Sequence, residues 1–564
     1  MKRLLVLFLA LMLLTSCALA DLPEYINTES DMPIIKEGYD VTLKIVAKQN
    51  AGWGNAEDIW FWKYVEDQMN INVDVIQTQD AETYKSLAFA SNELPDIFVG
   101  CGFGTSELVK YGELEGQLVD LAPYITEEYM PNLYAMSEKM PDLLSKISTA
   151  EGKIFSLPFV ENGDLRSIAC HTAGARFFIN TKRLEAIGRE QPETLEEMID
   201  TLYALKEEDE NVIPLGGSAV AYNPGSMILI SMGYLTTDSW GLTPCLRNGE
   251  VVIPAGDREV FGEYLKIMNQ LHKDGIIESD FFTMDRNAVD ARMAENQYGL
   301  LGNVAYTTLP DTFADWWHIN PLTSEWNDTK MWPTTCINLD STALSYTVGG
   351  FVVTSACKDI ATALRFADWF YDANSEHFGL SWWGPTAQMV EEQDIGYGIT
   401  KGWVMNENLQ DYYLDTNDPT QDYQFRYEHI FAIHSGSGLG NGMYSAPVKQ
   451  LMAGLIDDID KATIAQLNPD NGDDHYRISE AAQVRKYLVT MYPHIVFFSA
   501  EDNITISDYK VLINDYVKEE TAKFVTGLRP VTDAELDSYF NALEGLGIQE
   551  LLAFYADYYE ALYK

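Results

Sequence analysis

The sequence has few cysteines and lacks the short motifs of common catalytic centres. Besides Cys17, the 564 residues contain five cysteines, all widely spaced and none in a CxxC pair: Cys101, Cys170, Cys245, Cys336 and Cys357. This spacing argues against a disulfide framework and a zinc site, so we expect most of them to be buried small apolar side chains. HExxH, GxSxG and GxGxxG are also absent. No metal, cofactor or catalytic residue is therefore predicted.

Positive charge is scarce as well. The chain has 38 Lys and Arg against 85 Asp and Glu, which gives a formal net charge of −47. A surface this acidic repels phosphate, so nucleic acid is excluded as a partner, and acidic polymers are poor candidates for a ligand. After residue 14 no stretch approaches the 18 consecutive apolar residues of a membrane span. Neutral ligands and cations are left as candidates.

The composition indicates a large globular protein. Hydrophobic residues make up 46% of the chain and aromatic residues 12%, which is typical of folded domains and not of disordered ones. A chain of 564 residues exceeds what one hydrophobic core normally organises, so two or more lobes are expected. No internal repeat or low-complexity tract is present.

The N-terminus resembles that of a secreted lipoprotein. Lys2 and Arg3 precede an apolar run over residues 4–14, which is too short for a membrane span of roughly 20 residues and fits a secretion signal. The run ends in Leu-Thr-Ser-Cys, which resembles the bacterial lipobox and makes Cys17 the expected lipid acceptor. Ordinary cleavage after Ala20 is the alternative, because Ala-Leu-Ala is a small-x-small pattern.

Regular structure is predicted to begin with alternating strands and helices. Residues 41–46, 72–76 and 96–100 have strand patterns, and residues 59–69 and 83–91 between them have helical patterns. This β-α-β-α-β order indicates a mainly parallel sheet with right-handed crossovers. Ligands of such sheets bind beyond the carboxyl ends of the strands.

The rest of the chain is predicted to continue in the same style and to end in helices. Two Thr-x-x-Glu patterns, Thr194 to Glu197 and Thr532 to Glu535, are typical of capping boxes that open helices. A helix is expected over residues 262–273. A buried strand at residues 349–354 is followed by a helix over residues 360–371.

Five segments in order resemble extracellular solute-binding proteins of family 1. The segment ASNELPDIF (residues 90–98) resembles the family's "LPDIF" segment, and EGKIFSLP (residues 151–158) resembles "DGKIYGLP". Similar matches occur over residues 178–197, 350–370 and 516–539. The resemblance implies an α/β fold of the type II periplasmic-binding-protein-like class, with two α/β lobes, a hinge, a ligand cleft and a helical C-terminal extension.

The resemblance also implies a function and a division of the chain. Members of this branch capture oligosaccharides and deliver them to the permease subunits of ABC importers, so we expect a non-catalytic receptor on the extracellular face of the cell membrane, held by a lipid anchor. The expected parts are residues 1–17 as the signal peptide, 18–39 as a flexible tether, 40–175 with about 308–375 as the N-terminal lobe, and 176–307 with about 376–564 as the C-terminal lobe with its helical tail.

One stretch departs from the family pattern. Relatives in the long branch often carry a calcium loop where this chain has residues 206–215. Here the glycine turn and the spaced oxygen ligands of such a loop are absent. A solvated helix end is therefore the expected structure.

Candidate ligand contacts are aromatic, amide and carboxylate side chains that follow predicted strands or lie in predicted loops, with Trp382 and Trp383 expected in a turn before Gly384. Aromatic rings suit the C–H face of a sugar, and amides and carboxylates suit its hydroxyls. Tryptophans on predicted helices (Trp60, Trp62, Trp369) and the pair Trp316 and Trp317 are expected to lie in the core. The predicted contacts are Asn50, Trp53, Asp80, Tyr222, Asn223, Trp240, Asn303, Tyr306, Trp382 and Trp383.

Two other functions are compatible with these patterns. The same fold with different cleft residues would bind a peptide or another non-sugar solute. A secreted glycan hydrolase would need two carboxylates about 5 to 9.5 Å apart, and among 85 acidic residues some pair always qualifies, so the sequence alone does not test this alternative.

Overall fold

The structure, a computed structural model, describes most of the chain beyond residue 20. The described residues are 21–49, 52–163, 176–302, 312–335, 343–373, 376–400, 402, 404–405, 410–411, 425–430, 432, 439–441, 458, 461–463 and 472–563. Across these ranges no helix has the length and apolarity that a membrane crossing requires.

Strands and helices alternate over the first half of the chain, and helices dominate its end. The strands are β1 (Thr42–Lys48), β2 (Asn72–Thr78), β3 (Ile97–Val99), β4 (Leu157–Gly163), β5 (Phe177–Asn180), β6 (Ile213–Leu215), β7 (Cys245–Arg247), β8 (Glu250–Val252), β9 (Tyr298–Gly302), β10 (Trp316–His318), β11 (Trp332–Thr334), β12 (Ala343–Val353), β13 (Val404–Met405), β14 (Gln410–Asp411), β15 (Gly440–Asn441) and β16 (Leu488–Thr490). The helices are α1 (Trp60–Met69), α2 (Ala81–Ser91), α3 (Thr105–Val109), α4 (Pro131–Lys139), α5 (Leu143–Lys146), α6 (Thr181–Ala186), α7 (Leu195–Glu208), α8 (Gly225–Ser231), α9 (Phe261–Lys273), α10 (Arg286–Ala294), α11 (Ile360–Trp369), α12 (Glu376–Trp383), α13 (Ala387–Glu392), α14 (Gly472–Val484), α15 (Ala500–Val525), α16 (Asp533–Gly545) and α17 (Ile548–Tyr563).

The larger sheet has the strand order β15-β4-β12-β3-β1-β2. β1 pairs in parallel with both β2 and β3, with Ile45 opposite Val75 on one side and Ile97 on the other. This confirms the predicted β-α-β-α-β unit. β12 runs antiparallel between β3 and β4, so the sheet is mixed. Ile45 and Val46, on opposite faces of β1, are both fully buried, as expected for a strand covered on both sides. We call this sheet with its packed helices the first lobe.

The segment before β1 is folded onto the first lobe, which corrects the prediction of a flexible tether over residues 18–39. Ile26 and Ile35 are buried and pair with each other as an antiparallel bridge. The backbone N–H of Ile35 donates to the carbonyl of Met69 at 3.1 Å. Two apolar residues in a turn-rich segment form no periodic pattern. The burial of Ile26 and Ile35 depends on long-range contacts, which the local sequence does not reveal. Residues 18–20 lie outside the described ranges.

The smaller sheet has the order β10-β5-β9-β6. β5 runs antiparallel to β9 and β10, and β6 runs parallel to β9. Every residue of β5 and β9 is buried. The C-terminal helices pack on the same core through side chains such as Val517, Phe524 and Tyr539, which confirms the predicted helical extension. We call this sheet with its helices the second lobe.

The sheets divide the chain differently from the predicted lobes at two places. β10 pairs with β5 in the second lobe, although residues 308–375 were predicted in the first. β15 pairs with β4 in the first lobe, and Leu380 and Ile430 pack in its core, although residues 376–564 were predicted in the second. The lobe to which a segment belongs depends on pairing between strands that are distant in sequence. A local apolar pattern does not show which strands will pair. The remaining lobe boundaries stay predictions.

The predicted helix caps are confirmed. The Thr194 hydroxyl accepts a hydrogen bond from the backbone N–H of Glu197 at 3.1 Å. The Glu197 carboxylate accepts from the N–H of Glu193 at 2.9 Å, one residue before the cap. At α16 the Thr532 hydroxyl accepts from the N–H of Glu535 at 3.4 Å. These bonds satisfy amides that a helix start otherwise leaves unpaired.

A buried carboxylate joins two helices of the first lobe. Asp368, near the end of α11, accepts hydrogen bonds from the backbone N–H groups of Asn132 at 3.0 Å and Leu133 at 2.9 Å, at the start of α4. The side chain is only 2% exposed. Desolvation raises the pKa of Asp368 to about 6, although the hydrogen bonds oppose this rise.

The folded-state pKa of Asp368 predicts a pH-dependent contribution to stability. An unfolded Asp has a pKa of about 3.9, so ionisation of Asp368 opposes folding. Its stabilising contribution is fully present below the unfolded pKa and is lost as the pH rises through 6. We expect the unfolding free energy of the wild type relative to Asp368→Asn to increase by about 1 kcal/mol from about pH 7.5 to about pH 5.

Chemical denaturation at several pH values measures this difference. Asp142→Asn, at an exposed position, is the matched control and should follow the wild-type pH profile. A wild-type minus Asp368→Asn difference that is constant with pH would contradict the assignment.

Candidate functional site

The carboxyl ends of β1, β2 and β3 meet at one edge of the larger sheet. Lys48 at the end of β1 lies opposite Thr78 at the end of β2. The segments that follow these strands carry Trp53, Asp80 and Cys101. Ligands of open α/β sheets bind beyond this edge, so the predicted first-lobe contacts share the edge where a ligand is expected.

The loop that carries Trp53 is fixed by amide side chains. The carbonyl of Gly54 accepts hydrogen bonds from Gln49 Nε2 at 2.8 Å and Gln77 Nε2 at 3.1 Å. The half-buried Trp53 stacks on Tyr427, with ring centroids 6.0 Å apart and planes inclined by 18°. The N–H of Gly54 donates to the Tyr427 carbonyl at 2.9 Å. The structure thus adds Tyr427 to this edge, about 375 residues away in sequence.

Asp80 has a structural role that the strand pattern did not reveal. Its carboxylate caps α2 by accepting from the backbone N–H of Thr83 at 3.0 Å. Hydrogen bonds from the Thr83 side chain and backbone lower the pKa of Asp80. The N-cap role is sufficient to explain an Asp at position 80, and no ligand contact is needed to account for it.

In the second lobe, Tyr222 and Asn223 lie between β6 and α8. Tyr222 is half-buried with φ of +54°, and the Arg286 guanidinium lies 5.3 Å from its ring centroid. Asn223 Oδ1 accepts from the N–H of Gly225 at 3.0 Å, at the start of α8. A Cβ on Gly302 would lie 3.3 Å from the Tyr222 carbonyl oxygen. The Tyr222 loop therefore sits at the carboxyl end of β9.

Trp240 belongs to a loop that one carboxylate holds in shape. Asp238 accepts hydrogen bonds from the backbone N–H groups of Trp240 at 2.9 Å, Leu242 at 2.6 Å and Thr243 at 2.8 Å. The Trp240 ring packs near Phe282, with centroids 6.1 Å apart. Trp240 thus supports the loop, whose threonines face a cavity described below.

The tryptophan pair near Gly384 is helical. Trp382 and Trp383 end α12, although they were predicted in a turn. Trp382 packs partly buried on the first-lobe core, with the Arg426 guanidinium 5.7 Å from its ring centroid. The helix ends at Trp383, directly before Gly384, whose φ is +90°. The side chain of Trp383 and the predicted contacts Asn50, Asn303 and Tyr306 lie outside the described residues, as does Cys17.

The expectations for the remaining tryptophans and thiols are confirmed where the structure describes them. The five tryptophans assigned to the core are each at most 6% exposed. Cys101, Cys245 and Cys357 are free and buried. Burial raises the pKa of Cys101 and Cys357 to about 12, so neither thiol is a nucleophile at neutral pH. Cys170 and Cys336 lie outside the described residues.

The stretch that replaces the calcium loop forms a helix end. α7 ends at Glu208, and the Asp209 carboxylate accepts from the N–H of Asn211 at 3.0 Å. In the part of the chain that the structure describes, no group of three or more His, Cys, Asp or Glu is arranged to hold a metal ion.

A cavity of about 590 Å³ opens between the two lobes. It is bounded by the start of α3 from the first lobe and by the Trp240 loop from the second lobe. The segment after β16 (residues 491–498) and one face of α15 complete the walls. Its lining residues are Thr105, Ser106, Thr237, Thr243, Pro244, Thr335, Met491, Tyr492, Pro493, His494, Val496, Phe498, Asn503, Ile506, Ser507, Lys510, Val511, Asn514 and Tyr555.

None of these lining residues was among the predicted contacts. A signal for some of them was present: Asn503, Ser507, Lys510 and Asn514 recur at helical spacing on α15. Such a polar stripe is typical of a solvated helix face, so the pattern did not distinguish a cavity wall from bulk surface. Hydroxyls and amides next to aromatic rings, here Tyr492 and Phe498, are suited to bind a sugar.

The close approach at Gly54 gives a test of the Trp53 platform. A Cβ at Gly54 would overlap the Glu428 carbonyl oxygen, so Gly54→Ala should push the Trp53 loop away from Tyr427. We expect a loss of about 1 to 3 kcal/mol of stability and a changed tryptophan emission spectrum. Gly104→Ala is the control, because φ is −68° there and the added Cβ would lie 3.8 Å from the Glu107 carboxylate, an ordinary contact distance. Equal behaviour of both variants would refute the close approach.

Comparison with known proteins identifies the family. The family model for bacterial extracellular solute-binding proteins matches residues 52–375. A fructooligosaccharide ABC transporter substrate-binding protein, FusA of Streptococcus pneumoniae, is 25% identical over 244 residues, which are 42% of this chain and 44% of the relative. The alignment therefore spans less than half of that relative's length.

Solved structures agree in fold over most of the chain. FusA in complex with kestose has a TM-score of 0.70 at 20% identity, covering 92% of this chain and 99% of the other. A human-milk-oligosaccharide (HMO) binding solute-binding protein from Bifidobacterium longum infantis has a TM-score of 0.70 at 17% identity, covering 93% and 99%. The alginate-binding protein AlgQ2 has a TM-score of 0.66 at 17% identity, covering 93% and 98%.

These similarities establish the type II periplasmic-binding-protein-like fold expected from the sequence. The family match covers more than half of the chain, and its residues include all of β2, β3, β5, β9 and β12. The chain belongs to the bacterial extracellular solute-binding proteins.

Proposed function

We propose that this protein is the receptor of an ABC importer, which captures an oligosaccharide between its two lobes and delivers it to the permease. The observation that carries the proposal is the cavity of about 590 Å³ lined from both lobes. Hydroxyl groups from Thr105 in the first lobe and Thr243 in the second face the same space. The similarity to FusA supports a carbohydrate ligand, because FusA is named for fructooligosaccharide and its solved complex contains kestose.

A ligand held from both lobes explains how capture is signalled. Contacts to both walls exist only when the lobes are close together, so binding stabilises the closed form over the open one. We place the hinge at β11 and β16, which pair in parallel as a separate two-stranded sheet. The cavity residues from Met491 to Val496 follow β16 directly. A permease that binds only the closed form would then distinguish loaded from empty receptor.

Sugar-binding contacts at the strand edges complete the proposal. The aromatic platforms that we propose beyond the carboxyl ends of β1 and β9 are the Trp53–Tyr427 stack and the Tyr222 ring. Asn223 and Trp240 then act through their loops, since Asn223 Oδ1 accepts from the N–H of Gly225 and the Trp240 ring packs on Phe282.

Catalysis is not part of the proposal. A glycan hydrolase needs two carboxylates that flank the scissile bond, and no Asp or Glu is found among the described residues lining the cavity. A peptide ligand is the second candidate, since the fold is the same. Amides of Asn503 and Asn514 would pair with peptide groups, and only binding measurements with both ligand classes separate the two.

Filling the cavity tests the site. Ser507→Trp places a large side chain into the cavity, and we expect it to weaken binding of a recognised oligosaccharide by at least about tenfold. Asp508→Trp is the matched control, because Asp508 is the next residue on α15, is exposed and does not line the cavity.

Isothermal titration of the wild type and both variants against neutral and acidic oligosaccharides and against short peptides measures the effect. Binding of peptides but no sugar would replace the proposal by its alternative. Unchanged sugar binding in Ser507→Trp would exclude this cavity.

We further propose that Cys17 is lipidated and holds the receptor on the extracellular face of the membrane. Ile26 and Ile35, which follow Asp21 closely in the chain, are buried in the first lobe. The short segment from Cys17 to Asp21 spans at most about 14 Å when fully extended. A lipid at Cys17 would keep the first lobe close to the bilayer, and two acyl chains suffice for stable anchoring.

The anchor is tested in cells grown with a chemically tagged fatty acid. We expect the wild type to carry the label and to sediment with membranes. Cys17→Ser should lose the label and appear in the soluble exported fraction, and Cys101→Ser, a buried thiol, should behave as the wild type. An unlabelled wild type cleaved after Ala20 would overturn the lipid anchor and favour plain secretion.

A further inference from the structure

The inter-lobe cavity differs in charge from the rest of the protein. Asp and Glu make up 85 of the 564 residues, so about three would occur among 19 lining positions at average composition. None of the described lining residues is Asp or Glu. A charge distribution so unlike the surrounding surface points to a ligand whose own charge the cavity accommodates.

Lys510 supplies a positive charge on the cavity wall. It lies on α15 on the same face as Ser507 and Asn514, and no Asp or Glu of the described residues forms a salt bridge with it. Lys523, farther along the same helix, is paired with acidic neighbours: its Nζ lies 2.6 Å from Glu519 and 2.7 Å from Glu520. Lys510 thus retains donors that a ligand oxygen can accept.

The long-range field and the local site act on different scales. The net charge of −47 slows the approach of any anion from solution. Screening limits that repulsion to a distance of about 8 to 10 Å at physiological salt. Among the described residues that line the cavity, Lys510 is the only Lys, Arg, Asp or Glu, so the total charge of the chain does not decide which ligand charge the site prefers.

We infer that the cavity binds an oligosaccharide that carries a carboxylate, as in a uronic acid, with this carboxylate paired to Lys510. The inference rests on the proposed function and names the substrate class of the same site. Neighbouring hydroxyls and amides bind the sugar hydroxyls, and Lys510 distinguishes an acidic sugar from its neutral analogue. The earlier expectation of a neutral ligand followed from total charge, which the cavity lining does not share.

The experiment compares acidic oligosaccharides with their carboxyl-reduced forms, in which each carboxylate is replaced by an alcohol. The probes are oligogalacturonides, oligomannuronates and glucuronic-acid-substituted xylo-oligosaccharides of two to four residues, titrated calorimetrically into the full mature protein. We expect at least one acidic probe to bind about tenfold more tightly than its reduced form. Added salt should reduce this preference.

Variants at Lys510 test the residue itself. Lys510→Gln should abolish the preference, so that the acidic probe and its reduced form bind with equal affinity, and Lys510→Arg should restore the preference. Lys518→Gln is the control, because Lys518 is exposed on α15 and does not line the cavity. Unchanged thermal midpoints show that the variants are folded.

The outcomes separate this inference from the proposed function. Binding of neutral sugars without any preference for acidic forms overturns the inference and leaves the proposed function standing. A preference that persists in Lys510→Gln also overturns it. If no sugar of either charge binds, the proposed function fails, and the inference fails with it.

Discussion

The parallel pairing of β1 with β2 and β3 sets where the loops of the first lobe emerge. β1 is buried on both faces, so helices must cross over the sheet between β1, β2 and β3. Each crossover returns the chain in the same direction, and the following loops therefore emerge at one edge. The Trp53 loop, the cap of α2 and the turn before α3 share that edge for this reason. In the second lobe, β6 and β9 impose the same geometry on the Tyr222 loop.

The inter-lobe cavity is built by segments that are distant in sequence. Thr105 and Ser106 come from the first lobe, while Asn503 and Ser507 lie almost 400 residues later on α15. α15 is held in place by its apolar face, since Ile513, Val517 and Phe524 are buried in the second-lobe core. The stripe of Asn503, Ser507, Lys510 and Asn514 lies beside this buried face and is left to form a wall of the cavity. Packing of one face of a helix thus positions binding groups on the adjacent face.

Charge in this protein has to be considered at two scales. The surface is acidic throughout, and ion pairs such as Arg529 with Glu520 and Glu535 tie the helical tail together. Where carboxylates are buried they have specific partners, as Asp368 has in the start of α4. The cavity lining omits them altogether among the described residues. A desolvated carboxylate without a partner is costly, and in a binding site it would also repel acidic ligands.

Local patterns predicted the helices and strands, and five segments in order indicated the family. Alternation predicted β1 and β2, and Thr-x-x-Glu patterns located the starts of α7 and α16. Apolar spacing assigned Trp60, Trp62 and Trp369 to the core. These features depend on neighbours within a few residues and could be predicted. Long-range contacts fold Ile26 and Ile35 onto the first lobe, bring β15 into its sheet, stack Trp53 on Tyr427 and place Lys510 on the cavity wall. These contacts join residues far apart in the chain, and their free energy comes from long-range burial and backbone pairing, which no local pattern records.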